Sequence, residues 1–342
     1  MKARSFKRKD GALILSPHIC CDGFALNQSL RVQSHIHSDH MVDFCTSKAN
    51  QHIAVSSETL ALLEALYNAD IPLRSNIQAY PYKEFHDWKN EKFQLLESNH
   101  MLGSSQVLVV HSDGYRVGYS SDFFWPIHEV IECDELIIDS TYGDSLRSRK
   151  FSQEHATQCF IEKISESRAQ GKKTACIAHN GRLQTALQIA SEDSSWPIIA
   201  SPKAFALVNV YKNHGVHLPE TIISTSTQAK GIICGDDPFF AFATLPEQRH
   251  IPWISKMKKI VLSAYVSNVD HPLTTYPNGD CVVSFTDHAD FNGTIEYIKQ
   301  TGAKIVLSDP RSGNAQALAN SVSNLLGKTA HVIHTDTSAA WG

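Results

Sequence analysis

The sequence predicts a mixed α/β protein in which a strand-rich first part is followed by alternating strands and helices. Up to about residue 140, short apolar segments alternate with polar turns, and one amphipathic segment, SSETLALLEALYNA, predicts a helix. After STYGD the pattern becomes strand–helix alternation, which is typical of a parallel sheet with crossover helices. Together these observations predict a layered fold with a strand-rich part and a parallel α/β part.

The predicted elements of the first part are short strands and a single helix. Ser56 and Glu58 at the start of the helical segment form a typical N-terminal capping signal. The segments that predict strands are ALILS, LRVQSHI, HIAVS, FQLLES, QVLVVHS, YRVGYSSD and DELIIDS.

The second part begins with a predicted helix at 152–169, which ends before Gly171. Strands are then predicted at KTACIAH, WPIIAS, TIIST, GIICG and MKKIVLSAY, and helices at LQTALQIASE and PKAFALVNVYKNHG. From about residue 279 the chain continues with the strand DCVVSFTDH, the helix FNGTIEYIKQTG, the strand AKIVLSD and the helix NAQALANSVSNLLG.

The length and composition predict a folded chain with one large domain or two ordinary ones. The chain has 342 residues, of which 42% are hydrophobic and 19% are charged. The simplest organisation is one domain at 1–145 and 276–342, interrupted by an inserted α/β domain at 146–275.

The charge and cysteine content exclude several classes of protein. A net charge of −4 excludes binding to nucleic acid through bulk positive charge, so local Lys/Arg patches or a bound metal would have to attract it. The eight cysteines form no C-x-x-C pair and no evident disulfide framework. The basic N-terminus lacks the features of a signal peptide, and no apolar segment approaches the roughly 20 residues that cross a bilayer. We therefore expect a cytoplasmic protein without a membrane partner.

The segment SHIHSDHM, residues 34–41, contains three histidines and an aspartate within six positions. In an extended segment His35 and His37 point to the same side, because side chains alternate along a strand. Asp39 and His40 follow in a predicted turn. This combination of imidazoles and a carboxylate suits zinc or a similar metal. A polar loop of unusual composition is the alternative, and it predicts no partner residues elsewhere.

Ionisable residues also stand at the ends of later predicted strands, where layered folds commonly place their chemistry. His100 follows FQLLES, and Asp122 follows the strand that ends in GYSS. Asp139 and His288 follow DELII and CVVSFTD in the same way. Each residue alone could simply begin a turn. Together they favour a metal site over a polar loop.

Six segments, in chain order, provide a family resemblance: SHIHSDH, NHMLGSSQV, GYSSDF, LIIDSTYGD, IAHNGRLQTAL and SFTDHAD. They resemble, respectively, the second, third and fourth motifs, the acidic motif A, the Gly-Arg turn of the inserted domain and motif B of the β-CASP nuclease group. This group belongs to the metallo-β-lactamase-fold hydrolases. The resemblance covers nearly the whole chain, and it implies a metallo-β-lactamase αββα sandwich with an inserted β-CASP α/β domain.

The resemblance also implies a metal centre with one or two zinc ions, the second of which could instead be manganese. His35, His37 and His100 would hold the first ion. Asp39 and His40 would hold the second ion, and Asp122 would bridge the two. The implied ligands are His35, His37, Asp39, His40, His100 and Asp122.

Three residues are assigned to catalysis by the resemblance: Asp39, Asp139 and His288. Asp139 would orient a ligand histidine. His288 would contact the scissile phosphate or protonate the leaving group.

The chain departs from the family pattern after the strand AKIV. RNA-processing members of the group carry a motif C histidine there, whereas this sequence continues as VLSDPRSGNA. Members that act on DNA also lack this histidine. Asp309 is either a substitute oxygen ligand or the first residue of an Asp-Pro turn.

Gly181 and Arg182 are candidate substrate-binding residues at a predicted helix N-terminus, where backbone N–H groups and a guanidinium could bind phosphate. An ordinary strand-to-helix turn is the alternative. Arg311 and the lysines of SKMKK, residues 255–259, are candidate charges along a substrate groove, and an ordinary solvated face is the alternative for each of them.

The predicted function is metal-dependent cleavage of nucleic acid, as an exonuclease on DNA, by attack of a metal-activated hydroxide at phosphorus. The missing motif C histidine favours DNA, whereas STYGD resembles the RNA-processing branch. The alternatives are an RNA-processing nuclease of the same group, a small-molecule metallohydrolase of thioesters or lactones, and a non-catalytic scaffold with the same fold.

Overall fold

The computed structural model describes residues 3–191, 196–311 and 313–336. The chain divides into two compact units. The first unit consists of Met1–Ser148 together with His288–Gly342, and the second consists of Arg149–Asp287. No helix in the described part of the chain is long and apolar enough to cross a membrane.

The first unit begins with short strands and two helices, and it includes every strand predicted for this part of the sequence. The helix predicted at SSETLALLEALYNA is also confirmed, and its Ser56 cap accepts a hydrogen bond from the Thr59 N–H. In chain order the elements are β1 (Phe6–Arg8), β2 (Leu13–Ile14), β3 (Ile19–Cys21), β4 (Leu30–Val32), α1 (Phe44–Asn50), β5 (His52–Val55), α2 (Ser57–Leu66), β6 (Ile77–Ala79), β7 (Phe85–Trp88), β8 (Glu91–Glu97), β9 (Ser105–Val110), β10 (Arg116–Tyr119) and β11 (Glu135–Ile138).

The second unit alternates helices and strands, as its sequence pattern predicts. Its elements are α3 (Gln153–Ala169), β12 (Thr174–Ala178), α4 (Arg182–Ser191), β13 (Ile198–Ala200), α5 (Pro202–Asn213), β14 (Ile222–Ile223), α6 (Thr227–Cys234), β15 (Phe240–Thr244), β16 (Lys258–Ser263), β17 (Leu273–Thr275) and β18 (Cys281–Ser284).

The chain then returns to the first unit through two amphipathic helices and three short strands. Asp290 and Asn314 cap the two helices by accepting hydrogen bonds from backbone N–H groups of the first turn. The elements are α7 (Phe291–Gln300), β19 (Ile305–Ser308), α8 (Ala315–Leu326), β20 (Thr329–Val332) and β21 (Thr335–Asp336).

Two sheets face each other in the first unit. Their strand orders are β21-β1-β2-β3-β4-β5-β6 and β20-β19-β11-β10-β9-β8-β7. Apolar side chains from both sheets, such as Leu13, Val32, Val107 and Ile137, form the core between them. Helices α1 and α2 lie against strands β5 and β6, whereas α7 and α8 pack on the outer apolar face of the other sheet. The predicted αββα sandwich is therefore confirmed.

The second unit contains a single described sheet with the order β14-β13-β15-β12-β16-β18-β17. Its neighbouring strands are parallel except for β17 and β18, which are antiparallel. The predicted domain boundary between residues 275 and 276 falls between these two paired strands. The second unit extends instead to Asp287, because β18 is hydrogen-bonded to β16 within the same sheet.

The strand predicted at GIICG is wrong, because this segment forms the end of helix α6. Ser226 caps the helix by accepting a hydrogen bond from the Ala229 N–H. A short apolar run fits a buried strand and a helix equally well, so the cap upstream decides the conformation. The sequence pattern also gave no prediction for β15, whose residues FAFAT are all buried.

Candidate metal centre

The histidine-rich loop 34–41 follows strand β4 and is held in place by two buried polar side chains. The Arg31 guanidinium donates to the His40 carbonyl at 3.0 Å and to the Gln33 side-chain oxygen at 2.9 Å. The Gln33 amide donates to the carbonyls of His35 and His40 at 2.6 Å and 3.1 Å. These bonds fix the backbone at both ends of the H-x-H-x-D-H segment, so the imidazoles have a defined direction.

Four predicted ligands converge in one cluster. His35, His37, His100 and Asp122 each offer a nitrogen or oxygen atom, and these atoms all lie within 4.8 Å of one another. His37 Nδ1 lies 3.1 Å from His100 Nε2. Asp122 Oδ2 lies 3.7 Å from both His35 Nε2 and His100 Nε2. We call these four residues the first cluster.

The first cluster fits a tetrahedral metal ion. Zinc–nitrogen bonds of about 2.0–2.1 Å would separate tetrahedral ligands by roughly 3.4 Å, which is close to the spacing of these atoms. His35 Nε2 is buried and has no hydrogen-bond partner, while Nδ1 of the same ring lies 3.0 Å from Ser34 Oγ. A buried imidazole nitrogen without a partner is costly unless an ion or a water satisfies it. The first cluster, made of described residues, can therefore hold a metal ion.

The protonation states of the first cluster also suit a metal. Burial lowers the pKa of His35 well below its usual value, so its ring remains neutral and able to coordinate near pH 7. Burial raises the pKa of Asp122, but the neighbouring His40 and His288 hold it well below its ordinary range. The cluster thus combines a neutral imidazole with an ionised carboxylate, which are the protonation states that bind metal.

A second cluster shares Asp122 and contains Asp39 and His40. His40 Nε2 lies 3.3 Å from Asp122 Oδ1 and 3.6 Å from Asp39 Oδ2. The Asp39 side chain is 54% exposed, whereas that of His40 is only 2% exposed, so only one side of this cluster is enclosed. Burial lowers the pKa of His40, but the carboxylates of Asp122 and Asp22 raise it to about 10. A proton must therefore leave His40 before its Nε2 can bind a metal.

Asp22 lies directly behind His40 and was not predicted as a site residue. Its Oδ2 lies 2.7 Å from His40 Nδ1 and accepts hydrogen bonds from Ser34 Oγ at 2.7 Å and from the Tyr119 hydroxyl at 2.9 Å. Because the carboxylate accepts from Nδ1–H, the other nitrogen of His40 faces Asp122. Asp22 follows the apolar strand β3, which is the sequence signal that identified Asp122 and Asp139.

Arg311, predicted as a charge along a substrate groove, has a buried guanidinium on the far side of Asp22. It donates to the Tyr119 hydroxyl at 2.7 Å and to the Gly11 carbonyl at 3.0 Å. The same guanidinium lies 3.5 Å from Asp22 Oδ2 and 3.2 Å from His40 Nδ1. Its side chain is 8% exposed, so these internal partners, rather than a solvent-facing groove, surround it.

Asp309 stands where the RNA-processing members of the group that the sequence resembles carry a histidine. One of its carboxylate oxygens accepts from Lys7 Nζ at 3.0 Å, and the other lies 3.5 Å from the Arg311 guanidinium. The oxygen bound to Lys7 also accepts from the Arg311 backbone N–H at 3.2 Å, as in an Asx turn. These contacts are the ones expected if Asp309 is the first residue of an Asp-Pro turn.

Asp139 and His288 form a hydrogen-bonded pair beside Asp122. His288 Nδ1 lies 2.9 Å from Asp139 Oδ2, and His288 Nε2 lies 4.0 Å from Asp122 Oδ2. Thr141 donates to the second Asp139 oxygen through its backbone N–H at 2.8 Å and its hydroxyl at 2.7 Å. The fixed carboxylate therefore holds the His288 ring with Nε2 directed towards Asp122 of the first cluster.

The turn after His100 depends on Gly103, which has a φ of +79°. Its carbonyl accepts hydrogen bonds from Ser56 Oγ at 2.7 Å and from Thr59 Oγ1 at 2.8 Å. A Cβ at this position would lie 2.5 Å from the Thr59 backbone nitrogen. The turn that carries His100 is thus packed tightly against the start of helix α2.

We expect Gly103→Ala to destabilise the chain and to displace His100. Gly279→Ala is the matched control, because Gly279 has a similar φ of +85° but nothing within 4 Å of its added Cβ. The left-handed conformation alone costs about 1–2 kcal/mol, so the control should lose this amount and Gly103→Ala distinctly more. Urea denaturation measures both losses, and equal losses would contradict the expected clash.

Gly181 and Arg182 lie at the start of helix α4, at the carboxyl end of strand β12. Gly181 has a φ of +88°, and its N–H donates to the Gln184 side-chain oxygen at 2.8 Å. Arg182 Nε lies 3.4 Å from Asp287 Oδ2, and the Arg182 side chain is 6% exposed. The Gly181 N–H is therefore hydrogen-bonded within the turn, as expected for an ordinary strand-to-helix turn. The Arg182 guanidinium lies beside the acidic side chain of Asp287.

Comparisons with known proteins give the family context. No protein-family model matches the chain. A protein of Acidianus ambivalens, described as "Uncharacterized protein in lig 3'region", is 30% identical over 131 residues, which span 37% of this chain and 92% of that protein. The chain belongs to the family of this Acidianus protein.

More distant similarities extend beyond this family. An "RNase J-like protein" of Methanocaldococcus jannaschii is 28% identical over 179 residues, which span 46% of this chain and 42% of that protein. The match thus covers less than half of the Methanocaldococcus protein. A protein of unknown function from Enterococcus faecalis shares the fold, with a TM-score of 0.53, 10% identity, and coverage of 82% of this chain and 74% of its own. The metallo-β-lactamase-fold protein YhfI of Bacillus subtilis has a TM-score of 0.30 and 12% identity, over 38% of this chain and 63% of its own.

Proposed function

We propose that this chain is a metal-dependent nuclease of the β-CASP group that hydrolyses phosphodiester bonds. The observation that carries the proposal is the convergence of three imidazoles and one carboxylate in the first cluster. Zinc is the proposed ion at this position, because zinc prefers tetrahedral nitrogen and oxygen ligands. A second ion, zinc or manganese, would use Asp39, His40 and the shared Asp122.

Different residues of the chain would have separate roles in hydrolysis. Lewis acidity for attack at phosphorus would come from the bound metal. Asp139 would keep the proton of His288 on Nδ1, so that His288 Nε2 could exchange a proton with the substrate. Asp22 would hold His40 in the orientation that binds metal through Nε2. Arg31 and Gln33 would keep the histidine loop rigid, so that the ligands are preorganised before the substrate binds.

Exonuclease action on DNA is the finer proposal. It is supported by the segment after strand β19. RNA-processing members of the group carry a ligand histidine there, whereas in this chain Asp309 and Arg311 pair with each other inside the protein. An RNA substrate is the second candidate, and the similarity to the RNase J-like protein of Methanocaldococcus supports it. A small-molecule ester is the third, because the fold alone does not determine the substrate.

A single set of assays separates these substrates. The purified protein would be incubated with zinc or manganese and with single- and double-stranded DNA and RNA, labelled at the 5′ or the 3′ end. We expect stepwise release of mononucleotides from DNA, which EDTA stops. Faster digestion of RNA would select the second candidate. Turnover of a thioester or lactone without cleavage of any polymer would overturn the nuclease proposal. Metal analysis of the same sample distinguishes one ion per chain from two.

A further inference from the structure

A basic groove of about 510 Å³ lies in the second unit. It is formed by the end of helix α3, the start of strand β16 and the turn between β17 and β18. We call it the lysine groove, after the five lysines that line it: Lys163, Lys172, Lys256, Lys258 and Lys259.

The lysine groove has an excess of positive charge. Lys163 Nζ lies 2.8 Å from Glu166, and Lys259 Nζ lies 3.8 Å from Asp280. Among the residues that the structure describes, the other three lysines have no carboxylate partner. Five lysines and two acidic residues in the lining leave three uncompensated positive charges, in a chain whose net charge is −4. A concentration of like charge in an acidic chain costs energy unless an anion neutralises it.

The groove lies at the amino edge of the parallel sheet. Lys172 precedes strand β12 and Lys258 begins strand β16, and Thr174 and Lys258 are direct neighbours in the register of the two strands. Arg182 and Asp287 follow the carboxyl ends of β12 and β18, at the opposite edge of the same sheet. The lysine groove is therefore separate from the Gly181–Arg182 turn.

The chemistry of the lining indicates which part of a polyanion would bind. Lysine ammonium groups are mobile point charges that attract phosphates without fixing a planar geometry. Thr275 and Asn278 add hydrogen-bonding groups to the lining. None of the described residues that line the groove is aromatic, so stacking on bases contributes little there. Such a surface recognises a charged backbone and no particular base sequence.

We propose that the lysine groove binds the sugar–phosphate backbone of a nucleic-acid strand, at a position separate from the phosphodiester that is hydrolysed. This inference rests on the proposed nuclease function and extends it. The groove would supply affinity for long strands without taking part in hydrolysis. Its contribution should depend strongly on salt, because each lysine–phosphate contact releases about one counterion from the strand.

The test is the charge-reversed variant Lys172→Glu/Lys256→Glu/Lys258→Glu. The matched control, Lys203→Glu/Lys230→Glu/Arg249→Glu, makes the same change of charge at exposed positions of the same unit. Binding of a fluorescent phosphorothioate 30-mer is measured by anisotropy between 50 and 200 mM salt. We expect the groove variant to lose at least about tenfold in affinity and about two units of the log–log salt slope, since each contact contributes about 0.7. The control should remain within about twofold of the unaltered protein.

Hydrolysis of a dinucleotide separates this inference from the proposed function. Such a substrate is too short to reach beyond the hydrolytic site, so the groove variant should cleave it at an unchanged rate. Unchanged affinity and salt slope for the 30-mer would overturn the groove proposal while leaving the nuclease proposal intact. An equal loss in the control would also overturn it, because bulk charge would then explain the binding. Absence of any binding and any cleavage by the unaltered protein would overturn both proposals.

Discussion

Replacing Asp122 by asparagine is expected to abolish metal binding at the first cluster and, with it, hydrolysis. The Asp122 carboxylate lies within 4.0 Å of imidazole nitrogens from His35, His40, His100 and His288. Asparagine keeps the shape of the side chain but removes its negative charge. At an effective dielectric constant of about 20, two unit charges at about 4 Å attract each other by roughly 4 kcal/mol. Metal affinity should therefore fall by at least about a thousandfold.

Metal analysis and a nuclease assay on the same preparation measure this loss. Asp87→Asn is the matched control, because the Asp87 side chain is 82% exposed and lies on strand β7, away from every cluster. It should retain full metal content and activity. If Asp122→Asn retained both, the first cluster could not be the metal centre, whatever the substrate of the protein.

The sequence was sufficient to predict the parts of the candidate metal centre's geometry that depend on local chain direction. H-x-H spacing places His35 and His37 on one side of an extended segment, and the structure brings both into the first cluster. Asp122 and Asp139 follow apolar strands, and strand ends on one edge of a layered fold meet in space. These predictions required only the alternation of side chains and the location of strand ends.

The parts that were not predicted depend on contacts distant in sequence. Arg31 lies within an apolar strand, and no local pattern indicates that its guanidinium turns back to the His40 carbonyl. Arg311 and His40 are 271 positions apart, so their contact exists only after β19 has joined the sheet. Asp22 is different, because it follows strand β3, but no strand is predicted at Ile19–Cys21, so the strand-end signal could not be applied to it. The apolar residues of helix α6 fit a strand as well as a helix, and the Ser226 cap that precedes them is what distinguishes the two.

The second large expected effect is a loss of folding stability when Arg311 is replaced. Its guanidinium completes a buried network with Asp22, Tyr119 and the Gly11 carbonyl. Burial raises the pKa of Asp22, but His40 and Arg311 hold it below its ordinary value, so the carboxylate stays charged in the folded chain. Arg311→Met fills a similar volume but leaves this charge with fewer partners. Breaking a buried ion pair from one side typically costs about 3–5 kcal/mol, and we expect a loss of this order.

Chemical denaturation followed by tryptophan fluorescence measures this loss, and two comparisons define its cause. Arg116→Met removes a more exposed arginine that lies 3.6 Å from Glu132, so it should cost at most about 1 kcal/mol. Arg311→Lys restores the positive charge but not the planar fork, which donates to Tyr119 and to Gly11 at the same time. It should therefore recover part of the stability and not all of it. A loss in Arg311→Met no larger than in Arg116→Met would mean that Ser34, Tyr119 and His40 stabilise the Asp22 charge without the guanidinium.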